Sequence, residues 1–123
     1  MILLDTDVCL SFLSGSKKLL ELYGDTTEEI GVPAPCVQEL FFLAGKSAES
    51  ASNTELIETF LMTVSIVHPD IAVLRYAAAI QRKLLKDDVR APSTDILLFS
   101  MSKVYGAKLV TAHAKRYAFH VKQ

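Results

Sequence analysis

Hydrophobic residues occur along this chain in two patterns, short unbroken runs and longer segments in which apolar positions recur every three to four residues. An unbroken run is typical of a strand buried on both faces, whereas the longer spacing is typical of a helix that buries one face. The runs predict short strands at residues 2–4, 30–32, 65–67 and 108–111.

Helices are predicted between these runs from their spacing and from the residues that start and stop them. Asp7 is expected to cap the first helix, Pro33 and Pro35 to start the third, and Gly106 to end the last. The predicted helices are 8–13, 17–23, 35–44, 54–62 after a small-residue break at 45–53, 70–85, and 93–105. Alternation of helices with strands predicts an α/β three-layer sandwich, with a mostly parallel sheet of four to five short strands flanked by helices.

Composition adds two expectations to this pattern. The 123 residues suffice for one domain, predicted to span 1–123, and half of them are hydrophobic. So high an apolar content in a short chain predicts a surface for a partner or for self-association. The net charge of −1 means that the whole-chain field does not attract nucleic acid, so any RNA contact has to be local.

The cysteines and the start of the chain indicate a cytoplasmic location. Cys9 and Cys36 lie outside any CxxC spacing, which gives no support for a zinc or redox motif. Reduced thiols are expected, with a Cys9–Cys36 disulfide as the alternative. Asp5 interrupts the opening apolar run too early for a signal peptide or membrane span, so no membrane association is expected.

Candidate chemistry lies where acids follow the strands. Asp5 comes directly after the first strand, and Glu39 and Asp95 lie near the starts of helices that are expected to open toward the same edge of the sheet. Two carboxylates about 5 Å apart repel by roughly 3 kcal/mol at an effective dielectric near 20, so three together require a cation or a shared proton. Mg²⁺ or Mn²⁺ suits such ligands and supports phosphodiester hydrolysis. Each acid alone has a simpler explanation, as a turn residue or as a charge favoured by the helix dipole.

Several stretches resemble the motifs of the PIN domain family, and within it the VapC-type toxins. They are residues 2–8, 37–40, and 92–98 followed by 106–111. In this resemblance Asp5, Glu39 and Asp95 match the three acids that hold the metal ion and carry catalysis. The resemblance implies a Mg²⁺- or Mn²⁺-dependent endoribonuclease, the toxin of a toxin–antitoxin pair. Its implied partners are RNA, a second copy of the chain and a small antitoxin protein.

One departure from the family pattern follows the last strand. Many PIN domains carry an acid or asparagine two residues after Thr111, whereas here Ala112 is followed by His113. His113 has three candidate functional roles, as a ligand of Mn²⁺, as a partner of a metal-bound water, or as a phosphate contact; the alternative is a solvated imidazole. The departure keeps a second hypothesis open, a degenerate PIN domain that binds RNA or protein without cutting.

Other residues near the predicted site are auxiliary candidates. Asp7 is either an extra ligand or the helix cap, with capping preferred, and Thr6 and Thr111 either orient water and substrate or satisfy backbone groups. Lys115 and Arg116 are candidates for phosphate binding, with a solvated charge pair as the alternative. A phospho-acceptor receiver domain is disfavoured, because no Asp ends a middle strand candidate.

Overall fold

A computed structural model of the chain describes residues 1–119. Its strands are β1 (Ile2–Leu4), β2 (Ile30–Pro33), β3 (Ser65–Val67) and β4 (Lys108–Val110). Its helices are α1 (Thr6–Leu13), α2 (Lys17–Tyr23), α3 (Ala34–Lys46), α4 (Ser50–Leu61), α5 (Ile71–Lys86) and α6 (Ser93–Tyr105), followed by a 3₁₀ turn at Ala114–Tyr117. Residues 120–123 of the predicted domain lie outside the described part.

The four strands form one parallel sheet in the order β3-β2-β1-β4. In this register Leu3 of the central strand β1 pairs with Gly31 on one side and Leu109 on the other. The parallel sheet and its four strand positions confirm the prediction from the unbroken apolar runs.

Successive residues of β1 contribute to different parts of the core, because side chains alternate across a strand. Leu3 packs in a cluster with Val73 of α5 and Met101 of α6. Ile2 and Leu4 belong to a larger cluster that includes residues of α1 and α3. Helices therefore cover both faces of the sheet, as the predicted three-layer arrangement requires.

Several helix ends follow the predicted chemistry. Asp70 caps α5, because its carboxylate accepts a hydrogen bond from the Val73 backbone N–H at 3.0 Å. Gly106 ends α6 with φ of 61°, in the left-handed region that favours glycine.

Two predicted boundaries were wrong. Asp5, not Asp7, caps α1: its backbone is extended and its side chain accepts from the Thr6 N–H, so the helix begins before Asp7. The break at 45–53 is shorter than predicted, since α3 continues to Lys46 and α4 starts at Ser50. Asn53 Nδ2 donates to Ser47 Oγ at 2.9 Å across this turn, and packing of α4 on α3 outweighs the weak helix propensity of these residues.

The structure also tests the expectations about cysteines and membranes. Cys9 and Cys36 are both buried free thiols, as expected for reduced cysteines, and the alternative disulfide is absent. Within residues 1–119, no helix has the length and apolar character needed to cross a membrane.

Candidate active site

The candidate site forms where β1 and β4 end side by side. Asp5 directly follows β1 and Thr111 directly follows β4, and the two strands are parallel neighbours. The Asp5 backbone N–H donates to the Val110 carbonyl at 3.0 Å, which continues the pairing to the rim of the sheet. This is the edge at which parallel sheets place their ligands.

The Asp5 carboxylate is buried and held by three donors. Its Oδ1 accepts from the Thr6 N–H at 2.6 Å. Its Oδ2 accepts from Thr111 Oγ1 at 2.8 Å and from the Tyr117 hydroxyl at 2.9 Å. Only 5 % of Asp5 is exposed, so these donors stabilise a charge that burial would otherwise disfavour. Oδ1, with one fewer donor, is the oxygen with more remaining capacity to bind a cation.

Thr6 connects the first two acids. Its backbone N–H donates to Asp5, and its hydroxyl donates to Glu39 Oε2 at 3.0 Å. Glu39 lies within α3, which follows β2, and its side chain is exposed at the rim. The structure therefore brings Asp5 and Glu39 together from segments 34 residues apart, with the buried Thr6 between them.

Asp95 completes the acidic group from the first turn of α6. It is a buried residue, and burial is the largest factor that raises the pKa of its carboxyl above the ordinary value. The negative charges of Asp5 and Glu39 raise this pKa further, whereas the positive charge of Arg116 lowers it. Asp95 thus lies within electrostatic range of both other acids.

This group is chemically suited to a hard cation. Carboxylate oxygens are the ligands that Mg²⁺ and Mn²⁺ prefer, and a cation would offset the repulsion that raises the pKa of Asp95. Among residues 1–119, no group of three or more His, Cys, Asp or Glu side chains is arranged so that it could hold a metal ion. An ion at this edge would therefore be bound by fewer carboxylates and would keep several waters, which is the usual behaviour of Mg²⁺.

His113 and Asp7 contact each other beside the acids. His113 Nε2 lies 2.7 Å from Asp7 Oδ2, and both side chains are about half exposed. The His113 backbone N–H donates to Thr111 Oγ1 at 3.0 Å, so the hydroxyl that binds Asp5 is itself held. The imidazole is therefore paired with an acid of α1, and Asp7 has this contact instead of the predicted capping role.

The two predicted phosphate-binding residues lie beside Asp95. Lys115 and Arg116 both line a cleft of about 490 Å³ that Asp95 also lines. A third cation, Arg90, lines the same cleft and was missed by the sequence analysis. Its position two residues before the Pro92 helix start was the available signal.

Tyr117 was also missed, although its hydroxyl contacts Asp5 directly. Burial raises the pKa of this hydroxyl above its ordinary value, and the hydrogen bond to Asp5 raises it further, so the group remains a donor. An aromatic residue with a polar tip shortly after the last strand was the only sequence signal.

Comparison with known proteins gives the fold an independent assignment. The similar solved structures include DNA-bound VapBC from Salmonella typhimurium, promoter-bound VapBC2 from Rickettsia felis, and VapC20 from Mycobacterium tuberculosis, which is described as a Sarcin-Ricin loop cleaving toxin. Their TM-scores are 0.85, 0.82 and 0.66 at 18%, 22% and 12% identity. The alignments cover 95%, 97% and 98% of this chain and 91%, 93% and 97% of the respective relatives.

At these identities the similar structures establish the fold alone. No curated protein matches the chain. A family model described as PIN domain matches residues 2–118, which is nearly the whole sequence. The chain therefore belongs to the PIN domain family.

Proposed function

We propose that this chain is a metal-dependent endoribonuclease that hydrolyses RNA phosphodiester bonds, formed by a single PIN domain over residues 1–123. The observation that carries the proposal is the convergence of Asp5, Glu39 and Asp95 at the carboxyl edge of a parallel sheet. Membership of a family that consists generally of nucleases supports this chemistry. Burial of Asp95 close to the negative charges of Asp5 and Glu39 is unfavourable for its carboxylate. A purely structural role for the acids does not explain this arrangement, whereas a functional site does.

In this proposal Asp5, Glu39 and Asp95 are the catalytic residues that hold Mg²⁺ or Mn²⁺. When bound, the ion supplies an activated water and stabilises negative charge on the phosphate. Thr6 positions Glu39 through its hydroxyl and Asp5 through its N–H. Thr111 and Tyr117 fix the orientation of the Asp5 carboxylate, which leaves Oδ1 as the better placed oxygen for the ion.

The remaining candidates act at the borders of this group. Asp7 and His113 hold the segment after β4 against the start of α1. Lys115 and Arg116 bind phosphates of the RNA strand, because both line the cleft beside Asp95 and carry the charge that phosphate requires. These contacts give a chain of net charge −1 a local attraction for nucleic acid.

The proposed biological role is that of a cytoplasmic toxin held by a small antitoxin protein, with the toxin acting as a homodimer. The similar VapBC structures motivate the antitoxin. An apolar groove of about 230 Å³ between α1, α3 and α4, lined by Leu10, Leu43 and Leu56 among others, is a suitable seat for apolar residues of that partner. Exposed apolar side chains elsewhere, such as Met62 and Leu85, offer surface for a second copy.

The decisive experiment is incubation of purified chain with mixed cellular RNA in Mn²⁺, Mg²⁺ or chelator. Asp95→Asn, purified identically, controls for contaminating nuclease and keeps the shape of the side chain. We expect discrete fragments from the wild-type protein with metal, and none from the variant or in chelator. Equal cleavage by both preparations would identify a contaminant.

A degenerate PIN domain that binds without cutting is the second candidate. The observation in its favour is His113, which stands where many family members have an acid and is paired with Asp7. Such a protein would show little thermal stabilisation by Mn²⁺, whereas a working site is stabilised according to the metal concentration and affinity. Absence of cleavage together with absence of Mn²⁺ stabilisation would favour this candidate.

A further inference from the structure

The cleft beside Asp95 combines two kinds of surface. Arg90, Lys115 and Arg116 contribute three exposed positive charges, against the acids Asp87 and Asp95. Its net charge is therefore positive although the chain as a whole is slightly negative. Guanidinium groups bind phosphate through two parallel hydrogen bonds, so this charge favours a phosphate ligand over a simple anion.

The rest of the cleft is apolar. Val89 is 49% exposed in it, and Phe119 contributes a ring that is fixed edge-on against Phe99, with 5.1 Å between ring centroids. An aromatic ring and an aliphatic side chain that line the same cleft offer apolar surface on which a nucleobase can pack. The cleft has a volume of about 490 Å³ and combines positive charges with an apolar surface. These two features match the phosphate and the base of one nucleotide.

We propose that this cleft is a subsite for one unpaired nucleotide of the RNA, adjacent to the bond that is cut. Its phosphate contacts Arg90 and Arg116, and its base packs on Val89 and Phe119. The proposal rests on the proposed ribonuclease function, since Asp95 belongs both to the cleft and to the acidic group.

The predicted substrate form follows from the apolar surface. A base in a duplex is stacked and paired, and its face is unavailable to Val89 or Phe119. A single-stranded or looped segment presents that face without the cost of opening a helix. The subsite therefore selects RNA that is unpaired at the nucleotide next to the cleaved bond.

Binding measured in chelator tests the subsite without cleavage. The probes are a fluorescent single-stranded RNA of mixed sequence and the same strand in a duplex, followed by fluorescence anisotropy over a salt series. Wild type is expected to bind the single strand more tightly than the duplex. Arg90→Gln is expected to weaken binding and to lower the salt slope by about 0.7, the value for one lost phosphate contact on a single strand.

The apolar half is tested by Val89→Ser, which changes a half-exposed side chain and leaves Phe119 in place. We expect a loss of about fivefold in affinity with an unchanged salt slope, because a packing contact and not a charge is removed. Matched controls are Arg75→Gln and Leu74→Ser, which alter exposed side chains of α5 outside the lining of the cleft and are expected to bind as wild type does.

Three results would overturn the subsite: cleft variants that bind like their controls, a duplex that binds as tightly as the single strand, or equal competition by poly-glutamate of the same charge. The last result would mean that charge alone attracts the ligand, as for an acidic protein segment. Cleavage that persists while the cleft variants bind normally refutes the subsite and leaves the nuclease standing. Specific binding without any cleavage supports nucleotide binding in the cleft, but it refutes the nuclease and with it the position of the cleft next to a bond that is cut.

Discussion

Removal of one hydroxyl group from Tyr117 tests how the candidate site holds its central acid. Tyr117→Phe keeps the buried ring and deletes the donor that lies 2.9 Å from Asp5 Oδ2. Asp5 retains the Thr6 N–H and the Thr111 hydroxyl, so the carboxylate stays partly satisfied. The change is therefore confined to one charge-assisted hydrogen bond.

The expected effect is a loss of about 1.5–3 kcal/mol in the free energy of unfolding, the usual range for a hydrogen bond to a charged group. For a chain of 123 residues this corresponds to a decrease of about 6–12 °C in melting temperature. Thermal and urea unfolding of the metal-free protein measure it directly. An unchanged melting temperature would contradict the inferred contact.

A double-mutant cycle with Asp5→Asn shows whether the hydroxyl acts through Asp5. Tyr117→Phe should cost clearly less in the Asp5→Asn background than in the wild type, because the charged acceptor is already gone. The control is Tyr105→Phe, whose hydroxyl donates to the His68 carbonyl at 2.7 Å, and it should cost the same in both backgrounds. Additivity of the Tyr117 and Asp5 changes within about 0.5 kcal/mol would refute the reasoning.

Three further predictions concern the acid of α6, the sheet and the thiols. Asp95→Asn should have a higher melting temperature than the metal-free wild type at neutral pH, because the pKa of Asp95 is raised and its ionisation opposes folding. The two melting temperatures should converge as the pH falls through the raised pKa toward the ordinary value of 3.8. A difference in melting temperature that stays constant with pH would contradict this prediction. Gly31→Ala should lower stability by about 1–3 kcal/mol in urea unfolding, since its Cβ would lie 2.6 Å from Val67 Cγ2, and an unchanged midpoint would contradict the packing. Cys9 and Cys36 should react with thiol reagents only on unfolding, because they are buried and burial raises the pKa of Cys36 to about 11; rapid labelling of the native protein would disprove this.

Most of the fold was predictable because its signals are local. The unbroken runs mark the buried strands, and residues such as Asp70 and Gly106 mark helix ends through contacts with their own neighbours. The start of α4 was misplaced because packing on α3 stabilises a segment of weak helix propensity. The first cap was misassigned because Asp5 and Asp7 are equally good capping residues, and only the backbone conformation distinguishes them.

The candidate site was predictable in part. Asp5, Glu39 and Asp95 were selected as candidates from their positions after strands and at helix starts, together with the family resemblance. The contact of Tyr117 with Asp5 and the position of Arg90 in the cleft depend on how distant segments meet. No local pattern contains that information, so these two residues required the structure.

Two of the three hydrogen bonds to the Asp5 carboxylate come from Thr111 and Tyr117, which lie 106 and 112 positions further along the chain. During synthesis, β1 and Asp5 leave the ribosome long before Thr111 and Tyr117 have been added. The acidic group therefore lacks two of the donors to its central carboxylate until almost the entire domain has been made. The complete set of donors can therefore form only after Tyr117 has been added, which delays any activity of this centre on an emerging chain until that point.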